Sequence, residues 1–228
     1  MAPNALALDA TTRQALAAHW AEMALMEHAS VAAFSRFVLE LLSLGAPSEL
    51  VFDAQRALGD EIAHAELCFG LASAYAGTRV APGPLSLDGA LAPRSRVQIG
   101  LNAFLEACLG EAQAVAEARS ALEQSRDPEV RRVLSRIVGD EARHAELGFR
   151  FVQWLLENVP AAERAELSAG IAQAIDVALM AESSFSCGVH APEHGLLSQS
   201  ERAKARRSAL LEVCIPCVSA LLHTRAAA

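Results

Sequence analysis

The sequence has 228 residues, with 27 acidic and 19 basic side chains for a formal net charge of −8, and it is 53% hydrophobic but only 5% aromatic. That length permits one generous domain or two small ones, and the apolar share excludes a disordered chain. Ala and Leu supply most of that share while β-branched and aromatic residues are scarce, which excludes a mainly β protein, and the acidic balance argues against a nucleic-acid partner.

Prolines and glycines divide the chain into long helical blocks. A first helix is expected from about Thr11 to Leu44, with Asp9 or Thr11 as N-cap and a stop at Gly45-Ala46-Pro47. Ser48 is expected to cap a second helix that reaches about Tyr75, before Gly77. Between Gly77 and Pro93 the chain carries Pro82, Gly83, Pro84 and Gly89, which reads as a long connection. A third helix should run from about Ser95 to Gln124, and Asp127-Pro128 should turn the chain into a fourth that ends near Asn158. Pro160 opens a fifth helix to about Ala181, a loop spans Ser183 to Ser198, and a last helix runs from Gln199 to His223 with Pro216 interrupting it. Short turn, long crossover, short turn is the connectivity of an all-α four-helix bundle with one long crossover, here with two additional C-terminal helices. The expectation is a single domain over residues 1–228, its bundle core at 11–158 and a helical extension at 159–228.

An internal repeat lies within this pattern. Residues 59–69 read GDEIAHAELCF and residues 139–149 read GDEARHAELGF, in the second and fourth helices. The two hairpins are therefore related by a pseudo-twofold, each contributing half of one construction. Each repeat contains Glu-x-x-His, Glu61 with His64 and Glu141 with His144. Three residues on an α-helix span ~300° and ~4.5 Å, so carboxylate and imidazole leave the same face and can reach one metal ion.

A metal site of this kind requires acids from the first and third helices at the same height. In an antiparallel hairpin, residues at equal height are equidistant from the turn. Glu27 and Glu61 have their midpoint at Leu44, and Glu111 and Glu141 have theirs at Arg126, each beside its turn. Glu22 or Glu40 would move the first midpoint away, as Glu106 would the second, while Glu117 fits only slightly worse than Glu111.

The pattern Glu27 … Glu61-x-x-His64 … Glu111 … Glu141-x-x-His144 resembles the di-iron carboxylate site of the ferritin-like superfamily. Rubrerythrins, bacterioferritins, bacterial multicomponent monooxygenases and the ribonucleotide reductase small subunit belong to it. The resemblance covers residues 11–158 and implies that Glu61 and Glu141 bridge or bind terminally. It also implies that Glu27 and Glu111 are terminal carboxylates and that His64 and His144 each bind one iron. Two iron ions are the implied cofactor, with Mn or mixed Fe/Mn as alternatives, and four carboxylates balance two divalent ions in a desolvated core. The implied function is a di-iron oxidoreductase acting with O₂ or peroxide on a small molecule. A ferritin-type iron-binding ferroxidase and a metal-free helical scaffold are the alternatives.

Asp60 and Asp140 each lie one turn before a histidine on the same helix, where they could accept the other ring N–H of His64 and His144 respectively. Arg143 completes Asp-Glu-x-Arg-His in the second repeat, where the first has Ala63. Gly59, Gly110 and Gly139 precede proposed ligands, and room for a ligand, bent backbone and close helix packing all account for them. Glu66 and Glu146 point ~140° away from the ligand face and read as outward charges. His28 reads as a core or capping residue, and Cys214-Ile-Pro-Cys217 as either packing or a redox pair; Cys187, His190 and His194 lack a partner spaced to complete a second metal site. Tyr75, the one tyrosine, is ~21 Å along the helix from Glu61, too far to store a radical for the site. No four-cysteine rubredoxin module is present, so electrons would come from an external donor. Five scattered cysteines, no signal-like start and no long apolar stretch give the expectation of a cytoplasmic protein without a membrane partner, with homodimerisation through Ala-rich faces open.

Overall fold

The computed structural model describes residues 3–180 and 188–223, and among these it is all-helical, with one isolated β-bridge between Ala191 and Leu196. Helix α1 (Ala10–Leu44) is capped by Asp9, whose carboxylate accepts from the Thr12 amide at 2.9 Å, and ends at Gly45 with φ of 66°. Helix α2 (Ser48–Ala76) starts one residue earlier than its serine suggests: Pro47 is the N-cap, no side chain caps it, and Ser48 is already helical. After the crossover, Ser95 and Gln98 form a reciprocal capping box that starts α3 (Arg96–Ala103).

The third helix is not uninterrupted. A π-helical segment, Phe104–Gly110, separates α3 from α4 (Glu111–Gln124). Each i→i+5 bond takes in an extra residue, so the segment rotates the residues after it relative to a regular helix. Asp127 then caps α5 (Pro128–Asn158) through the Glu129 and Val130 amides, at 3.0 and 3.1 Å.

Helices α1 and α2 pair along their length, as do α4 and α5, and α2 packs against α5 to join the hairpins. Outside them, α6 (Ala161–Met180) packs on α3 and α7 (Gln199–Ala209) on α4. A second π segment, Leu210–Cys214, leads into α8 (Ile215–His223), so the chain passes Pro216 with a π-turn and no break. Residues 181 and 183–187, expected at the end of the fifth helix and in the following loop, lie outside the described residues. The described part of that loop is pinned to the bundle: Trp20 Nε1 donates to the His194 carbonyl at 3.3 Å, and Tyr75 Oη lies 2.8 Å from His194 Nδ1. Gly195, at φ 85°, sits where a Cβ would come within 2.9 Å of the Trp20 ring.

The core is divided in two. Phe37, Leu41, Leu50, Phe104, Phe151 and Leu155 anchor one apolar cluster, nearer the helix turns at Gly45 and Asn158. Leu16, Trp20, Phe69, Tyr75, Val130 and Leu134 anchor the other. Along α1, α2 and α5 the switch from one cluster to the other falls at Glu27, at Glu61 and His64, and at Glu141 and His144. Full burial of each large apolar side chain contributes ~1.5–3 kcal/mol, so two such clusters can hold a polar layer between them. No described helix is long and apolar enough to cross a membrane.

Candidate metal centre

That layer holds all six residues singled out in the repeats and their partner helices. Glu61, His64, Glu141 and His144 are between 0% and 2% exposed, Glu27 is buried and Glu111 half-buried. Two groups of ligand atoms converge, each within 4.8 Å: Glu27, Glu61, His64 and Glu141 in one, and Glu61, Glu111, Glu141 and His144 in the other. Glu61 and Glu141 belong to both. The competing glutamates lie elsewhere: Glu22 is exposed, Glu40 and Glu106 pair with Arg36, and Glu117 pairs with Arg202 and Arg206. Glu66 and Glu146 are exposed, and His28 borders a separate surface cavity with Glu66.

The histidines are held across the bundle. His64 Nε2 lies 2.9 Å from Asp140 Oδ2, and His144 Nε2 lies 3.5 Å from Asp60 Oδ2. Each aspartate therefore faces the histidine of the opposite repeat, where the sequence pairs each with the one on its own helix. One turn of spacing places two groups on one face, but here the α2–α5 packing turns each carboxylate toward the neighbouring helix. Arg143 Nη2 touches both aspartates, at 3.2 Å to Asp60 and 2.6 Å to Asp140. Burial raises Asp140, but hydrogen bonds from His64 and Arg143 outweigh it and hold the carboxyl below its ordinary value of 3.8.

A carboxylate only accepts, so Nε2 of each imidazole carries the proton toward its aspartate and Nδ1 faces inward. There, His64 Nδ1 is 3.1 Å from Glu141 Oε1 and 3.5 Å from Glu27 Oε2, yet it has no hydrogen bond, and neither Glu61 oxygen has one. His144 Nδ1 approaches Glu61 Oε1 and Glu141 Oε2, both at 3.0 Å, with hydrogen-bond geometry only to the second. Ligand atoms this close, this buried and for the most part without mutual hydrogen bonds form a cluster that could hold a metal ion.

Without a metal, protons take that role. Burial alone would lower both imidazoles, but Glu141 and Glu27 raise His64 to about 11, and Glu141 and Glu61 raise His144 to about 9. Burial drives Glu61 to about 8 and Glu111 well above its ordinary value, with the neighbouring carboxylates adding to both. Glu141 is buried too, but the hydrogen bond from His144 and the close approach of His64 outweigh that and lower it. Four carboxylates sharing one dry site cannot all be charged without a cation.

Of the three explanations for the glycines, bent backbone holds at Gly110 and close packing holds at neither Gly59 nor Gly139. A Cβ at Gly59 or Gly139 would meet nothing within 4 Å, and Gly110 closes the π segment. Within the repeats the tight glycine is Gly148, where a Cβ would stand 2.8 Å from the carbonyl carbon and the Cβ of Ala107 in the π segment. Its only trace in the sequence is that the repeats diverge there, Cys68 against Gly148. Also unforeseen is a cavity of about 390 Å³ between α1 and the third helix, opening onto Glu27, Glu61, Glu111 and Glu141. A larger cavity of about 1200 Å³, between α6, α7 and the third helix, includes none of the six residues.

The weaker sequence features remain outside this centre. His194 bonds Tyr75 and His190 pairs with Glu201 at 2.9 Å, while Cys187 lies outside the described residues. Cys214 is fully buried in the apolar cluster, and burial raises its thiol to about 11, so it packs as a small hydrophobe. Compared with known proteins, the chain matches no family model, no curated protein and no solved structure.

Proposed function

We propose that this protein is a di-iron carboxylate oxidoreductase with a ferritin-like bundle, acting with O₂ or peroxide on a small molecule. The observation that carries the reading is the pair of overlapping four-residue groups, which share Glu61 and Glu141 and end in one histidine each. Two ions fit such a double set, and their charge of +4 matches four carboxylates. Oxygen donors with one imidazole each suit iron or manganese, whereas structural zinc prefers closed tetrahedral nitrogen and sulfur sites. Two ferrous ions there would supply one electron each for reducing O₂ or peroxide, with an external donor restoring them.

The chain's own part is positioning and exclusion. Glu61 and Glu141 would hold both ions, Glu27 with His64 one, and Glu111 with His144 the other. Asp140 and Asp60 keep the imidazole Nδ1 atoms aimed inward, and Arg143 ties the aspartates together on the solvent side. The apolar clusters above and below exclude water from both ends.

Anaerobic titration with Fe(II) should saturate at two ions per chain, and oxygen admitted afterwards should be consumed in proportion to iron. Uptake of one ion or none, or a Glu61→Ala variant that binds as well as the parent, refutes the reading. Iron far in excess of two per chain in a large hollow assembly would establish storage instead.

A further inference from the structure

We propose that the cavity of about 1200 Å³ between α6, α7 and the third helix binds a single-chain amphipathic anion, its hydrocarbon chain along the floor and its head at Lys204 and Arg207. None of the six residues of the metal centre lines it, so the proposal stands apart from the di-iron reading. Leu101, Leu105 and Leu109 form the floor, four residues apart along α3 and the π segment. Ala174 and Val177 of α6 form one wall. Leu105 is 46% exposed and Val177 63%, so the apolar surface is open to a ligand from solvent. Contiguous apolar exposure of this kind marks a binding surface. The volume exceeds the ~300–1,000 Å³ of ordinary small-molecule sites, which suits a long chain lying in an open trough better than a compact ring.

The α7 wall carries the charge. Lys204, Arg206 and Arg207 line the cavity, and among the described residues no acidic side chain does. Arg206 is held by Glu117, which also takes Arg202. Lys204 and Arg207 are three residues apart, hence on one face of α7; both are exposed, and neither has a carboxylate partner. The acid one turn before Lys204 is committed to the helix start, where Glu201 accepts from the Ser198 amide at 2.8 Å and pairs with His190. The other polar side chains of the cavity, Gln113, Gln173 and Ser200, are neutral. Two uncompensated cations therefore stand beside an apolar floor, in a chain whose net charge is −8. A cationic head would meet like charge there, and an uncharged one would leave both cations unpaired. A carboxylate or a phosphate monoester can pair with both. The cations line a recess between two helices, a shape that admits one chain and not the face of a bilayer.

Calorimetric titration with sodium decanoate, below its micelle concentration, tests the proposal on the full chain with and without Fe(II). Binding should saturate and be equal in the two metal states, and Kd should fall about fourfold per CH₂ from hexanoate to decanoate. Decyl phosphate should bind at least as well, whereas 1-decanol and decyltrimethylammonium should bind at least about tenfold more weakly. Lys204→Gln combined with Arg207→Gln should weaken decanoate about tenfold and leave 1-decanol unchanged. Val177→Asp should weaken decanoate at least about tenfold by setting a carboxylate in the trough. These three positions are exposed, and circular dichroism confirms that the variants fold. Decyltrimethylammonium binding as tightly as decanoate, or decanoate binding that neither variant weakens, overturns the proposal. Binding to dioleoylphosphatidylglycerol vesicles without saturable binding of monomeric decanoate also overturns it, and would make the basic wall a membrane contact. Loss of Fe(II) binding with the decanoate series intact would fall on the di-iron reading alone.

Discussion

Replacing Asp140 with alanine tests the crossed arrangement of the centre. The side chain is 12% exposed and accepts from His64 Nε2 at 2.9 Å, so its removal leaves a buried ring N–H without that acceptor. Loss of such a supporting carboxylate typically costs 10–100-fold in metal affinity, or about 1.4–2.8 kcal/mol. The ion pairs of Asp140 with Arg136 and Arg143 add ~0–1 kcal/mol to fold stability, because both guanidinium groups are close to half exposed. Asp60→Ala should cost only about threefold, since its contact to His144 is 3.5 Å and the side chain is 23% exposed. ¹H–¹⁵N spectra of the metal-free protein identify which imidazole responds. Asp140→Ala should abolish the protected Nε2 proton of His64 and spare that of His144, while Fe(II) titration shows one weakened and one nearly unchanged ion. If Asp140→Ala perturbs His144 instead, or leaves Fe(II) affinity intact, the crossed pairing is wrong.

Because Glu61 lies in both ligand groups and Glu27 in one, Glu61→Ala should abolish binding of both ions and Glu27→Ala of one, read by metal analysis after anaerobic loading. Fe(II) at a hundred times Kd should stabilise the fold by ~2.7 kcal/mol and raise Tm by about 5–10 °C, reversed by a chelator and followed by calorimetry. The metal-free protein should lose stability as pH rises: Glu61, raised from 4.5 to about 8, and His144 and His64, raised from 6.5 to about 9 and 11, all hold protons in the fold that the unfolded chain has released. Its Tm should therefore fall between pH 6.5 and 9, and Fe(II), which replaces those protons, should flatten the trend; a Tm that rises over this interval without metal contradicts the proton-filled site. Gly148→Ala should cost about 1–3 kcal/mol by pressing on the π-segment backbone, with thermal unfolding as the readout; an unchanged Tm would mean the segment is free to move.

Most of the helical framework is legible in the sequence because its signals are local. Asp9, Gly45, Asp127 and Pro128 act at the positions their chemistry dictates, and distance from the turn is enough to place Glu27 opposite Glu61 and Glu111 opposite Glu141. What escapes depends on rotation between helices. The Asp140–His64 pairing needs the azimuth of α5 against α2, which no spacing along one helix encodes. The π segment is only hinted at, by Gly110 in mid-helix, because Phe104–Leu109 is an ordinary helical string and the close approach of Ala107 to Gly148 depends on how the helices pack. The cavity between α1 and that segment is an absence of side chains, which emerges only once the helices have been placed in space.

Arg143 has a consequence for how such a chain can be built. One nitrogen of its guanidinium touches Asp60 and Asp140, two residues that the repeat makes equivalent, so the group sits close to the axis relating the two halves. A group on an axis is needed only once. Two identical hairpins assembling as separate chains would have to place either two arginines there, crowding like charges over two carboxylates, or none. Joining the hairpins in one polypeptide removes that constraint, and alanine at position 63 is what the freedom looks like. The same covalent link lets the π segment belong to the second hairpin alone, so that the two ligand groups, alike in their residues, face different surroundings.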